Sequence, residues 1–280
     1  MSSEGVLIFA INNETINYVK QSIFCAKRVK KFLNLPVTVV TNSPDEFEKY
    51  SFKNKYIDNI ISVKLIETEN YKNFSKGELT IRDKWHNYNR ADAYELSPYE
   101  KTLVIDCDYI INNSNLKKIF SSNKNIALAK KYKDFFGRSL RSIEARVSRS
   151  SIPMYWATVI YFKKSEIARA AFDFAKYVRD NWTYHRTLYN ISSLKFRNDY
   201  AFSIALHVMK GFRETPTLYD LPFTLYNSFD KDIPLSIGST VKILSNDRSN
   251  YNLHYLQNIN VHIMNKIELE KLIDEDFANE

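Results

Sequence analysis

The sequence predicts an α/β protein built on an open, mostly parallel sheet flanked by helices. Three observations carry that expectation. The first forty residues alternate strand, helix and strand patterns; a buried strand pattern at 101–105 runs straight into Asp106-Cys107-Asp108; and strand and helix patterns keep alternating toward the C-terminus. With 280 residues, 44% of them hydrophobic, the chain can bury one substantial core, which excludes a disordered, collagen-like or disulfide-stapled protein. No internal repeat or long linker divides it, so we read one domain over 1–280: a first half to about residue 112, a second over about 113–265 and a terminal helix over about 266–280.

Each element has a local reason. Residues 6–11 are a short continuous apolar run closed by Asn12, Asn13 and Glu14, as a buried strand should be. Over 14–33, Ile16, Val19, Ile23, Val29 and Leu33 recur at three- and four-residue spacing with lysines between them, which predicts an amphipathic helix ended by Pro36. Val37–Thr41 supplies the second strand of a parallel β-α-β unit with a right-handed crossover. A third strand is expected at 60–66, then a polar stretch to residue 84 and a short helix at 89–96. Beyond the 101–105 strand, Ile126–Ala129 reads as a short strand and 154–162, apolar and aromatic, as a central one. Helices follow at 165–182 and 200–209, the latter opened by Asn198-Asp199 as a cap pair. Late strands at 241–244 and 259–263 precede an acidic helix, Lys266–Phe277.

In an open α/β sheet, ligands bind beyond the carboxyl ends of the strands, where the winding reverses. Asp106 and Asp108 stand at such an end, and residues two apart on a strand share a face. Both carboxylates therefore point into the crevice and Cys107 into the packed side. Two hard oxygen ligands with positions left open suit Mg²⁺ or Mn²⁺ shared with a substrate diphosphate. Two further Asp-x-Asp pairs occur: Asp230/Asp232 in a loop and Asp274/Asp276 in the terminal helix, where solvated surface is the better account. The two cysteines, Cys25 and Cys107, make no disulfide framework, and no apolar run is long enough for a signal-peptide core or a membrane span. A reducing cytoplasm is the expected compartment.

The order of these motifs, with the helix Asn89-Arg90-Ala91-Asp92-Ala93-Tyr94 before Leu103-Val104-Ile105-Asp106-Cys107-Asp108 and a late His262-Ile263-Met264-Asn265-Lys266, resembles GT-A glycosyltransferases. The likeness is greatest to the family 8, glycogenin-like type and to glycosyltransferases of T4-like phages, and it spans roughly residues 5–266. It implies a GT-A nucleotide-diphospho-sugar transferase fold, with the first half holding the nucleotide sugar and the second the acceptor. It further implies a UDP-sugar donor and a Mn²⁺ or Mg²⁺ ion held by Asp106, Asp108 and His262. Lys266 is implied as the cation on the donor diphosphate, although the glycine and the Lys-Pro-Trp ending usual in the family are missing here and the interval from the histidine is shorter. Asn12, Asn13 and Thr41 fall where the family contacts base and ribose, and Arg90 and Asp92 where it touches donor phosphate and sugar. Asp199 falls beside the reacting face of the sugar, so the likeness makes Asp199, with Asp108, the catalytic pair. Family 8 enzymes retain configuration, and no residue in the sequence is singled out as nucleophile or base.

Plainer roles stand beside these. Asn12 and Asn13 suit a helix cap equally well, Arg90 and Asp92 a charged helix face, and Asp199 a cap. His262 alternates with Val261 and Ile263 and faces either core or crevice. The chain's net charge of +8 is concentrated in residues 117–149, where ten Lys and Arg oppose only Asp134 and Glu144, an excess of eight. That segment offers Lys131, Lys133, Arg138, Arg141, Arg146 and Arg149 as a groove for a phosphate backbone, against the plainer reading of a solvated basic face. With the phage likeness it implies DNA as acceptor partner, specifically 5-hydroxymethylcytosine. A glycan, lipopolysaccharide or protein acceptor is the alternative, and a non-catalytic nucleic-acid-binding protein the third reading.

Overall fold

The structure, a computed structural model, describes residues 3–77, 79–138, 145–149, 151–213, 219–247 and 250–280. Strand β1 (Glu4–Ala10) is buried along nearly its whole length, as a continuous apolar run requires when both faces are covered. Helix α1 (Tyr18–Leu33) crosses to β2 (Val37–Thr41), which pairs parallel with β1. The helix begins four residues later than its periodicity suggests, because Asn17 caps it by accepting from the Lys20 amide. Asn34, in the left-handed region at φ 50°, closes its other end. Outside β2 lies β3 (Asn59–Ser62), shorter than expected.

The expected polar stretch is in fact an antiparallel hairpin, β4 (Tyr71–Lys76) and β5 (Leu79–Lys84), with Gly77 at φ 58° in the turn. A 3₁₀ turn, Tyr88–Asp92, and α2 (Ala93–Leu96) lead into β6 (Lys101–Asp106), parallel to β1 with Asp106 opposite Phe9. After β7 (Tyr109–Ile110), β8 (Ile126–Ala129) and β9 (Tyr132–Asp134) comes β10 (Trp156–Lys163), antiparallel to both β6 and β8. The central sheet thus runs β3-β2-β1-β6-β10-β8. It is an open, largely parallel sheet with Asp106-x-Asp108 at the end of a central strand, as expected.

Helices α3 (Glu166–Asp180), α4 (Trp182–Leu188) and α5 (Asn198–Met209) follow, α3 capped by Ser165. The cap expected from Asn198-Asp199 is not formed: Arg197 holds the cap position, and the Asp199 carboxylate reaches across to β10 instead. Then come β11 (Leu225–Asn227), the meander β12 (Ile233–Ile237), β13 (Thr240–Asp247) and β14 (Asn250–Gln257), β15 (Val261–His262) and α6 (Lys266–Phe277). A second sheet, β7-β15-β11-β9, joins four short strands from distant parts of the chain.

The main core spans the central sheet and its helices, with Leu7, Ile8, Val104, Ile160 and Phe202 fully inaccessible. Each such side chain contributes on the order of 2 kcal/mol. A second apolar cluster, including Val241, Ile243, Val261, Leu269 and Ile273, seats the late strands and α6 against Phe24 of α1. That cluster fixes where His262 and Lys266 stand. Among the described residues, no helix is long and apolar enough to cross a membrane.

Candidate active site

The site begins with register. β15 pairs antiparallel with β7 so that His262 lies opposite Tyr109, and the Ile263 amide donates to the Asp108 carbonyl at 3.0 Å. A late strand is thereby laid against the two residues that follow the Asp-x-Asp. His262 Nε2 comes to 3.1 Å from Asp108 Oδ1 and 3.8 Å from Asp106 Oδ2, and one ligand atom from each of the three residues lies within 4.8 Å of the others. Two carboxylates and one imidazole are a donor set that fits a divalent ion of the Mg²⁺ or Mn²⁺ kind. Burial, with the charges of Lys72 and Arg90, presses the His262 imidazole down to about 3, so it stays neutral and offers a lone pair.

Two cations brace the carboxylates. Lys266, the first residue of α6, pairs with Asp108 Oδ2; burial first, and Lys72 second, pull its ammonium well below the usual lysine value. Arg90, on the 3₁₀ turn, pairs with Asp106 Oδ1 and donates to the Ala157 carbonyl at 2.8 Å, and burial lowers it to about 10. Cys107 turns inward as alternation requires, its thiol 3.8 Å from Gln21 Oε1 and raised by burial to about 12.

These groups line a cavity of about 280 Å³. Asp199 lines it as well, with Oδ1 accepting from the Ala157 amide at 2.8 Å and Oδ2 held by Arg197 Nη2 at 2.6 Å. Trp156, stacked on Tyr132 at 3.9 Å between ring centroids, forms part of the wall. Four buried polar atoms of the lining have no partner among the described residues: Tyr18 Oη, His86 Nδ1, Asn198 Oδ1 and Asn227 Oδ1. The two amides are oriented by their Nδ2 groups, which donate to the Asn87 and Ser228 carbonyls. Groups of this kind suit a polyhydroxylated ligand, since an unpaired buried polar atom is costly until one binds.

The structure therefore brings Asp106, Asp108, His262, Lys266, Arg90 and Asp199 to one cavity. It does not bring the others there. Asp92 pairs with Arg179 at 3.4 Å and Lys176 at 3.8 Å on α3, outside the lining. Thr41, fully buried, donates to the Ala10 carbonyl. Asn12 accepts from the Val19 amide, and Asn13 accepts from Thr15 and Ile16 while donating to the Lys84 carbonyl. All three shape the chain just after β1 and β2.

The basic segment needs correction. Arg138 is not a free cation: it bonds both oxygens of Asp134 and of Asp232, two carboxylates with no exposed side-chain surface, and lies over the Phe136 and Phe229 rings. Asp232 is accordingly buried rather than solvated, and burial raises the Asp230 carboxyl. Lys131, Lys133, Arg146 and Arg149 are exposed, Arg146 donating to the Ser151 carbonyl at 2.7 Å; Arg141 lies outside the described residues. Of the described part of this segment only Tyr132 lines the cavity, and alternation along β9 turns Lys133 the other way. The cavity's own cations beyond Arg90 and Lys266 are Lys72, Lys195 and Arg197, which sequence reading missed. For Lys72 the available signal was Gly77, one of only five glycines, between the short runs 71–76 and 79–84.

No family model and no curated protein matches the sequence. Among solved structures, the chain is similar to the glycosyltransferase GlyE of Streptococcus pneumoniae TIGR4, at 13% identity and a TM-score of 0.42 over 82% of this chain and 45% of that one. It is similar to the galactosyltransferase LgtC in complex with donor and acceptor sugar analogues, at 14% identity and a TM-score of 0.47 over 72% and 70%. It is also similar to the bifunctional IspDF of Campylobacter jejuni, at 15% identity and a TM-score of 0.36 over 74% and 47%. The chain spans less than half the length of GlyE and of IspDF.

Proposed function

We propose that this chain is a metal-dependent glycosyltransferase of the GT-A type, moving a sugar from a nucleotide-diphosphate donor, UDP-linked, to an acceptor. The observation that carries the reading is the convergence of Asp106, Asp108 and neutral His262 at the carboxyl end of β6, beneath a cavity lined by unpaired polar atoms. Asp106, Asp108 and His262 would hold Mn²⁺ or Mg²⁺, which when bound supplies positive charge to the donor diphosphate.

The chain's own groups do the rest. Lys266 and Arg90, already seated on the two carboxylates, are the cations that reach leaving-group phosphate oxygens. Asp199, fixed by the Ala157 amide and by Arg197, presents an oriented carboxylate to the sugar. Asn198 and Asn227 accept from sugar hydroxyls through their free carbonyl oxygens. Asn12, Asn13 and Thr41 would act on the base only through the backbone they brace beside Phe9 and Ile11 of the cavity wall.

For the acceptor, the exposed cations Lys131, Lys133, Arg146 and Arg149 favour a phosphate backbone such as DNA, with hydroxymethylcytosine as the target that the phage likeness implies. A glycan acceptor is supported by the cavity wall, which contains none of them. Mass spectrometry after incubation with UDP-sugars and Mn²⁺ separates the two. A hexose or pentose adduct on hydroxymethylated DNA but not plain DNA establishes the first; an adduct on oligosaccharide alone establishes the second; no transfer and no donor hydrolysis with any UDP-sugar refutes the enzyme.

A further inference from the structure

Among the described residues, five cationic side chains line the cavity, Lys72, Arg90, Lys195, Arg197 and Lys266, against three carboxylates, Asp106, Asp108 and Asp199. Three of the cations are matched one to one: Arg90 with Asp106, Lys266 with Asp108, Arg197 with Asp199. Lys72 and Lys195 have no carboxylate within ion-pair distance among the described residues. A divalent ion and a donor diphosphate together add no net charge, because the two phosphates of a sugar ester carry about two negative charges and the ion cancels them. Two positive charges on the cavity wall are thus left over after the donor is accounted for.

Their placement gives the surplus a location. Lys72 comes from β4, its ammonium over the Phe74 and Trp85 rings at 5.9 and 5.7 Å. Lys195 lies just before Arg197, at the approach to α5 and Asp199. Burial lowers both ammonium groups, and the charges of Lys72 and Arg197 lower Lys195 further, as expected of cations facing one space. Asp230, whose charge favours both ammonium groups, makes no ion pair with either, is itself raised by burial and lies outside the cavity lining. The unpartnered His86 Nδ1 adds a further polar atom to the same wall.

Resting on the glycosyltransferase reading, we propose that Lys72 and Lys195 form a further anion subsite in this cavity that takes a carboxylate or phosphate carried by the sugar or acceptor. A charge-assisted contact of this kind discriminates an acidic ligand from its neutral analogue by about tenfold or more.

Calorimetric titration of the full chain with Mn²⁺ tests it in two arms. The donor arm compares UDP-glucuronic acid with UDP-glucose; the acceptor arm compares glucose 6-phosphate with glucose at saturating UDP. The expected result is a preference of about tenfold for the acidic ligand in one arm, which identifies the source of the anion. That preference is lost in Lys72→Gln/Lys195→Gln and kept in Lys72→Arg/Lys195→Arg. Binding of UDP without an acidic preference in either arm, or a preference that survives in the glutamine variant, overturns the subsite and leaves the donor reading standing. A chain that binds no UDP overturns both.

Discussion

His262 Nε2 lies 3.1 Å from Asp108 Oδ1, although the two residues stand on opposite sides of most of the second half of the chain. The short antiparallel pairing of β15 with β7 makes that contact, and the apolar cluster under α6 holds the pairing in place. A histidine delivered to an Asp-x-Asp by backbone register, and kept neutral there, is arranged to share a cation.

Mn²⁺ should therefore stabilise the fold through these three residues. At a hundredfold excess over its dissociation constant the ion adds about 2.7 kcal/mol. Thermal unfolding of the wild type should shift upward with Mn²⁺ by several degrees, while Asp106→Asn and His262→Ala show no shift. An equal shift in the variants would place the ion elsewhere.

In metal-free protein, His262 should make stability fall with acid. Its imidazole titrates near 6.5 when unfolded and near 3 when folded, so the unfolded chain takes up a proton that the folded one refuses. The contribution is intact above pH 6.5 and is lost as pH falls toward 3, by up to about 1.4 kcal/mol per pH unit. His86, His185 and His254 are lowered by burial too and act in the same direction, so the informative quantity is the difference from His262→Gln. Urea midpoints between pH 7 and 5 should decline less steeply in that variant.

Arg138→Ala should cost about 3–5 kcal/mol, because it strands Asp134 and Asp232 as buried, unpaired carboxylates. Burial works against the arginine's charge, yet the hydrogen bonds to both carboxylates hold it above its usual value. Arg138→Lys should recover little, since one ammonium cannot span two carboxylates as the guanidinium fork does. A urea midpoint unchanged in Arg138→Ala would return this residue to the surface role first expected of it.

Gly5→Ala should destabilise by roughly 1–3 kcal/mol. A Cβ on Gly5 would sit 2.4 Å from the Tyr99 ring, which is buried and tethered through its hydroxyl to Thr38 Oγ1 at 2.8 Å. Denaturant titration checks this, and a neutral result would mean that the ring moves freely.

What the sequence disclosed follows from burial. β1, β2 and β6 are buried on both faces, so their apolar runs were readable, and the Asp-x-Asp at the end of β6 was readable with them. The β4–β5 hairpin was not, because most of its side chains are exposed or half-buried and most of its residues are polar. With it went Lys72, and hence half of the unmatched charge in the cavity. Asp232 resembled loop surface because nothing in its own neighbourhood announces Arg138 as partner. Segmental charge also misled: the excess in 117–149 is real, but Arg138 spends its charge inside the fold and the cavity draws its cations from elsewhere.

The affinity for UDP, measured by calorimetry with Mn²⁺ and again in EDTA, reads the proposed metal bridge between the three side chains and the nucleotide. Tight binding that needs the ion and is lost in Asp106→Asn is the predicted result. Equal affinity in EDTA, or in the variant, would contradict a metal-bridged nucleotide-sugar site at Asp106, Asp108 and His262.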